Sequence, residues 1–110
     1  MSTPAPIELH APRGADSLRI VWDDGAHTCY SHRLLRGLCP CARCQGHSGK
    51  TRFVDGDSSE LRDIEEVGEY ALRLVWPDCA TGIYSFEYLR RLAELDEATL
   101  VPGELVDIQR

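Results

Sequence analysis

A chain of 110 residues, 43% of them hydrophobic, has the size and apolar content of one ordinary domain with a real core. Eighteen acidic side chains against twelve basic ones leave a net charge of −6, which argues against nucleic acid and anionic membrane surfaces as main partners, because both attract a basic footprint. Five cysteines are an odd number, so a disulfide framework would leave one thiol over.

The opening stretch, MSTPAPIELHAPRG, has neither the basic nor the apolar region of a secretory signal, and no apolar run approaches membrane-spanning length. The expectation is a cytoplasmic, reducing setting, where clustered cysteines are more often metal ligands or catalytic thiols than disulfides. Pro6 to His10 predicts an edge strand. Leu18 to Trp22 is β-rich, Asp23-Asp24-Gly25 is a hairpin turn, and His27 to Tyr30 is the returning strand. Ser31 then stands where a helix N-cap belongs, with Leu34, Leu35 and Leu38 at helical spacing behind it. Residues 46–63 are polar and rich in Gly and Ser, which predicts a loop. Asp63 to Gly68 predicts a further extended segment leading into a strand over Tyr70–Trp76. Ser85 repeats the N-cap signal before Tyr88, Leu89 and Leu92. In the tail, Pro102-Gly103 predicts a turn ahead of the short apolar stretch Leu105-Val106-Asp107-Ile108.

Two of these segments copy each other. LRIVWDDGAHTCYSHRLLRGL from Leu18 aligns without a gap on LRLVWPDCATGIYSFEYLRRL from Leu72, sharing Trp22/Trp76, Asp24/Asp78, Tyr30/Tyr84, Ser31/Ser85, Leu35/Leu89 and Arg36/Arg90 among others. One strand–turn–strand–helix unit is thus used twice. The expected fold is α+β, a mostly antiparallel sheet with two helices on one face, forming a single domain over 1–110 with its core at about 18–92. In this alignment Cys79 replaces Gly25. A turn favours Gly there, so a cysteine that costs backbone comfort needs another reason to be present.

Cys39, Cys41 and Cys44 supply that reason. Three thiols within six positions make a dense trio just past the first helix, and Zn²⁺ takes four tetrahedral ligands, with thiolates favoured in structural sites. Cys79 is the leading fourth ligand, and His47, three residues beyond Cys44, is its rival. The same four-cysteine set also fits an iron–sulfur cluster, and Cys41-Ala-Arg-Cys44 could work as a redox dithiol, although no thioredoxin-like βαβ pattern surrounds it. Cys29, matched by Ile83, reads as a core residue. Trp22 and Trp76 read as packing, Tyr30 and Tyr84 as structural twins, and His10, His27 and His32 as solvated surface. No nucleophile elbow, phosphate loop or iron-binding facial triad is present, so no enzymatic role is expected.

The motifs Trp22–Gly25, Leu35–His47, Val67–Ala71 and Asp78–Leu89, with their Cys-Pro-Cys-Ala-x-Cys and Thr-Gly-Ile-Tyr-Ser cores, resemble the gamma-butyrobetaine hydroxylase-like N-terminal domain family, also known as domain of unknown function 971. The resemblance covers roughly Leu18 to Leu92. In the enzyme that gives the family its name, this domain precedes a separate oxygenase domain and binds a structural zinc through three cysteines and a histidine. The resemblance therefore implies that Cys39, Cys41 and Cys44 take the cysteine places. The family histidine lies two residues before the Thr-Gly pair; here Cys79 holds that place, in a turn one residue shorter. The oxygenase half has no counterpart in these residues, so hydroxylation is not expected of them. Related domains also occur attached to iron–sulfur carrier ATPases. The expectation is thus a non-catalytic zinc-binding protein-interaction module whose partner is a second copy or such an ATPase, with an accessory role in iron–sulfur or metal handling as the alternative.

Overall fold

The computed structural model describes residues 4–12, 14–46, 50–54 and 60–108. Its first sheet is antiparallel, with strands β1 (Pro6–His10), β2 (Ser17–Trp22) and β3 (His27–Ser31) lying side by side in chain order. Alternation sets the faces of β2: Leu18, Ile20 and Trp22 point inward and are fully buried, while Arg19 points out. The β2–β3 turn needs its glycine, since Gly25 sits at φ 88°, a backbone region that side chains disfavour. Ser31 then caps helix α1 (His32–Gly37), its hydroxyl accepting from the Leu34 N–H at 3.0 Å.

A single turn of helix, α2 (Ala42–Gln45), and a two-residue strand, β4 (Thr51–Arg52), lead to the second three-stranded antiparallel sheet. It consists of β5 (Asp63–Val67), β6 (Ala71–Trp76) and β7 (Cys79–Ser85), again in chain order. Leu72, Leu74 and Trp76 of β6 face the core, and Ala71 is buried as well. Ser85 caps helix α3 (Phe86–Leu92), accepting from the Tyr88 N–H at 3.0 Å. A short 3-10 turn, Glu97–Thr99, precedes β8 (Leu105–Val106), which pairs antiparallel with β4 as a third small sheet.

The antiparallel strands and the two capped helices match the sequence reading, but the described residues form three small sheets instead of one. Strands β3 and β7, which could have joined the two sheets, each run straight into a capped helix, and side chains connect the halves instead of a ladder. The Tyr30 hydroxyl donates to the Leu89 carbonyl of α3 at 2.7 Å, and the Tyr84 hydroxyl donates to the Leu35 carbonyl of α1 at 2.5 Å. Arg36 pairs with Asp78, and Arg90 with Asp24. The Trp22 ring meets Phe86 edge-on at 6.1 Å, and His32 meets Trp76 at 5.8 Å. Every one of these contacts joins the first half to the second.

Three further expectations give way. Residues 46–63 are expected to be loop, and of the described ones most are, but Thr51–Arg52 form β4, and Phe53 beside it is fully buried, so close to Gly37 that a Cβ at 37 would run into its ring. A lone aromatic in a polar run carries no periodicity, so nothing local announced it. Cys29 is exposed, not core, because it shares the outward pleat with its cross-strand neighbour Arg19. His32 is buried against Trp76 instead of solvated, since α1 turns that face toward the second half. Among the described residues no helix is long and apolar enough to cross a membrane.

Candidate metal centre

The cysteine-bearing segment starts where α1 stops. Leu38 ends the helix, and the Cys39 N–H turns back to the Arg36 carbonyl at 3.3 Å. Beyond Pro40, the amides of Cys44 and Gln45 both point at the Cys41 carbonyl, at 3.1 and 3.0 Å, and this tight knuckle aims Cys39, Cys41 and Cys44 to one side. Gln45 braces it from behind. Its buried amide donates to the carbonyls of Cys39 (3.1 Å) and Arg52 (2.9 Å) and accepts from the Arg52 N–H (2.8 Å), tying the knuckle to β4.

The fourth sulfur comes from the start of β7. The Cys79 Sγ lies 3.8 Å from that of Cys39, 3.5 Å from Cys41 and 3.8 Å from Cys44. All four sulfurs lie within 4.8 Å of one another. None of these separations approaches the roughly 2.05 Å of a disulfide bond, and all the cysteines are free thiols. Cys39 and Cys79 are buried, Cys41 and Cys44 half-buried. The trio and Cys79 singled out from the sequence are thus brought together, while the rival ligand His47 lies outside the described residues. The expected backbone strain at Cys79 is absent: among the described residues only glycines have positive φ. The second hairpin instead pairs Trp76 directly with Cys79, and a register shift between Leu74 and Trp76 takes up the irregularity.

Two residues to which the sequence reading gave no role at the metal site complete the setting. Gly82 lies against the Cys39 sulfur, which would stand 2.6 Å from a Cβ built there. The aligned position in the first half is Thr28, whose hydroxyl accepts from the Trp22 indole at 2.8 Å. In the second half the sulfur fills that space. Arg36 is the other residue: its Nη1 donates to the Cys44 Sγ at 3.4 Å while its Nε and Nη2 each hold Asp78 at 2.9 Å. The fork on Asp78 raises the pKa of Arg36, so it stays cationic beside the sulfurs. The repeat alignment, which pairs Arg36 with Arg90 and Asp78 with Asp24, singled out both side chains but not their contact with each other.

Burial pushes the Cys39 thiol far up, and burial followed by the hydrogen bond and charge of Cys41 pushes Cys44 up to about 11. Burial also pushes Cys41 up, but hydrogen bonds from Thr81, Cys44 and Cys79 outweigh it and bring this thiol down. Like charges this close cannot all form in a metal-free pocket, and a cation among them removes the penalty. The geometry accommodates one. A tetrahedral ion with bonds of about 2.3 Å to thiolate sulfur sets its ligands roughly 3.8 Å apart, and the three separations around Cys79 are 3.8, 3.5 and 3.8 Å. The four cysteines therefore form a cluster suited to a metal ion. An open cleft of about 950 Å³, lined by Asp16, His32, Arg62 and Asp63 among others, contains none of the four sulfurs.

Comparison with known proteins agrees with this picture. Residues 9–90 match the family described as gamma-butyrobetaine hydroxylase-like, N-terminal. A crystal structure from Acidithiobacillus ferrooxidans ATCC 23270, of a protein of unknown function in the DUF971 family, is 29% identical with a TM-score of 0.66, covering 82% of this chain and 93% of that one. A protein solved in solution by NMR is 32% identical with a TM-score of 0.62, covering 83% and 70% of the two chains. A second NMR structure, 22% identical with a TM-score of 0.61 over 84% of this chain and 74% of that one, shares the fold. With the family's sequence match spanning both halves and the cysteine cluster alike, the chain belongs to the gamma-butyrobetaine hydroxylase-like N-terminal domain family, DUF971.

Proposed function

We propose that this chain is a small non-catalytic protein-interaction domain held together by a structural zinc ion at Cys39, Cys41, Cys44 and Cys79. The observation that carries the reading is the meeting of four sulfurs within 4.8 Å of one another, three from one knuckle and one, 3.5–3.8 Å from each of them, from a distant strand. Four protein thiolates leave no open position for water or substrate, which is the mark of a structural site. An iron–sulfur cluster spreads its cysteines over more than one iron, so the close grouping here favours a single ion. Bound zinc would clasp the two halves, and since such sites supply about 10–16 kcal/mol in small peptides, even part of that matters in a domain of this size.

The reciprocal contacts between aligned positions support reading the fold as one strand–turn–strand–helix unit used twice, with the metal site built into one end only. A pseudo-symmetric body with exposed Ile7, Tyr70 and Ile83 offers apolar contact area to a protein partner, either a second copy or an iron–sulfur carrier ATPase in the cytoplasm.

Elemental analysis of protein purified without chelator tests the reading. About one zinc per chain is expected, and less than a tenth of an equivalent overturns it. Brown, iron-containing protein from anaerobic preparation would favour the metal-handling alternative. Rapid alkylation of Cys41 or Cys44 in zinc-loaded protein would favour a thiol redox role.

A further inference from the structure

Arg36 is a cation held deep in the fold. Its side chain is 8% exposed, it comes from the last turn of α1, and its guanidinium reaches two groups at once. Two of its nitrogens grip the carboxylate of Asp78, the residue directly before Cys79, and a third donates to the Cys44 sulfur. One side chain thus spans from the knuckle to the turn that delivers the fourth sulfur. The fold contains its own comparison. Arg90 and Asp24 hold the aligned positions in the other half, where glycine and not cysteine follows the aspartate. There the pair makes one bond of 3.1 Å, the arginine is 31% exposed, and its guanidinium lies over the Trp22 ring at 5.1 Å. Of these two pairs, the tight, buried, two-pronged one is the one beside the sulfurs.

We propose that Arg36 is a positioning residue for the metal site, its fork fixed on Asp78 so that its Nη1 orients the Cys44 thiolate and its charge offsets that of the four-sulfur set. This inference rests on the zinc reading above. Four thiolates around a divalent ion carry a net charge of −2, and a cation in hydrogen-bond reach of one sulfur favours that ionised, metal-bound form. Groups that orient metal ligands in this way are typically worth 10- to 100-fold in metal affinity.

The test is competition for Zn²⁺ between the full chain and a chromophoric chelator, in wild type, R36M, R36K and R90M. R36M is expected to lose about 10- to 100-fold in zinc affinity. R36K, which keeps the charge but cannot make the planar fork, is expected to lose a smaller factor in the same direction. R90M should compete as wild type does. The gain in melting temperature on adding zinc should shrink in R36M and stay unchanged in R90M. In Co²⁺-loaded protein, the sulfur-to-metal absorption band should move in R36M alone. Unchanged zinc competition in R36M overturns the proposal, as does a loss no larger than that of R90M. Should R36M fail to fold, R36K decides: wild-type affinity there also overturns it. Wild-type protein that fails to bind zinc would sink the metal reading itself, an outcome distinct from tight wild-type binding that R36M leaves untouched.

Discussion

Gly82 shows what one missing atom can do. No left-handed backbone angle requires glycine there; what the position supplies is room for the Cys39 sulfur. Gly82→Ala should push that sulfur aside, lowering zinc affinity measurably and costing the zinc-loaded fold about 1–3 kcal/mol in denaturant unfolding, the usual range for overpacking. Cys79→Ala should abolish stoichiometric zinc and lower the melting temperature, whereas His47→Ala should do neither; elemental analysis and thermal melts of the two variants check this. The four cysteines were legible because reactive side chains in a dense group, plus one that breaks a repeat, are visible in one dimension. The roles of Gln45 and Gly82 were not legible, because what they touch becomes a neighbour only after folding. Cys29 misled by analogy: its twin Ile83 is itself 45% exposed, on the same outward pleat. Counting back one residue from buried Tyr30 would have placed it correctly.

At the scale of elements, the two hairpin-and-helix segments were the most readable parts of the chain. Alternating strands, a Gly turn and a capping serine are local signals that agree with one another. The caps should therefore have local costs. Ser85→Ala removes the acceptor for the Tyr88 N–H and should lower stability by about 1 kcal/mol without changing zinc content. Ser31 is a less clean test, because its hydroxyl also donates to Glu97. The β4–β8 pairing escaped the sequence reading because two residues are too few for any period to show. Its partners are also far apart in sequence, and the pairing rests on long-range contacts such as the Thr51 hydroxyl donating to the Ile108 carbonyl at 3.2 Å.

For the whole molecule, the burial of tyrosines between the halves ties stability to pH. Burial pushes the Tyr30 phenol from 10 up to about 12, and burial drives Tyr84 up as well. A raised folded pKa means that the contribution is fully present below pH 10 and is lost as pH rises through the folded value. Unfolding midpoints should fall between about pH 10 and 12, and Tyr30→Phe should flatten that fall while costing about 1 kcal/mol at neutral pH for the lost hydrogen bond. How the two halves meet was the least legible level of all, since the likeness of two sequence segments does not say how they face each other.

The crossed tyrosine bonds carry a consequence for how the chain can be divided. Each half closes a helix that belongs to the other, so neither is finished by itself. Peptides spanning 1–54 and 60–110, made separately, should be largely unstructured by circular dichroism and recover ordered signal only on mixing. With three sulfurs on one fragment and the fourth on its complement, zinc should tighten their reunion, and EDTA should loosen it.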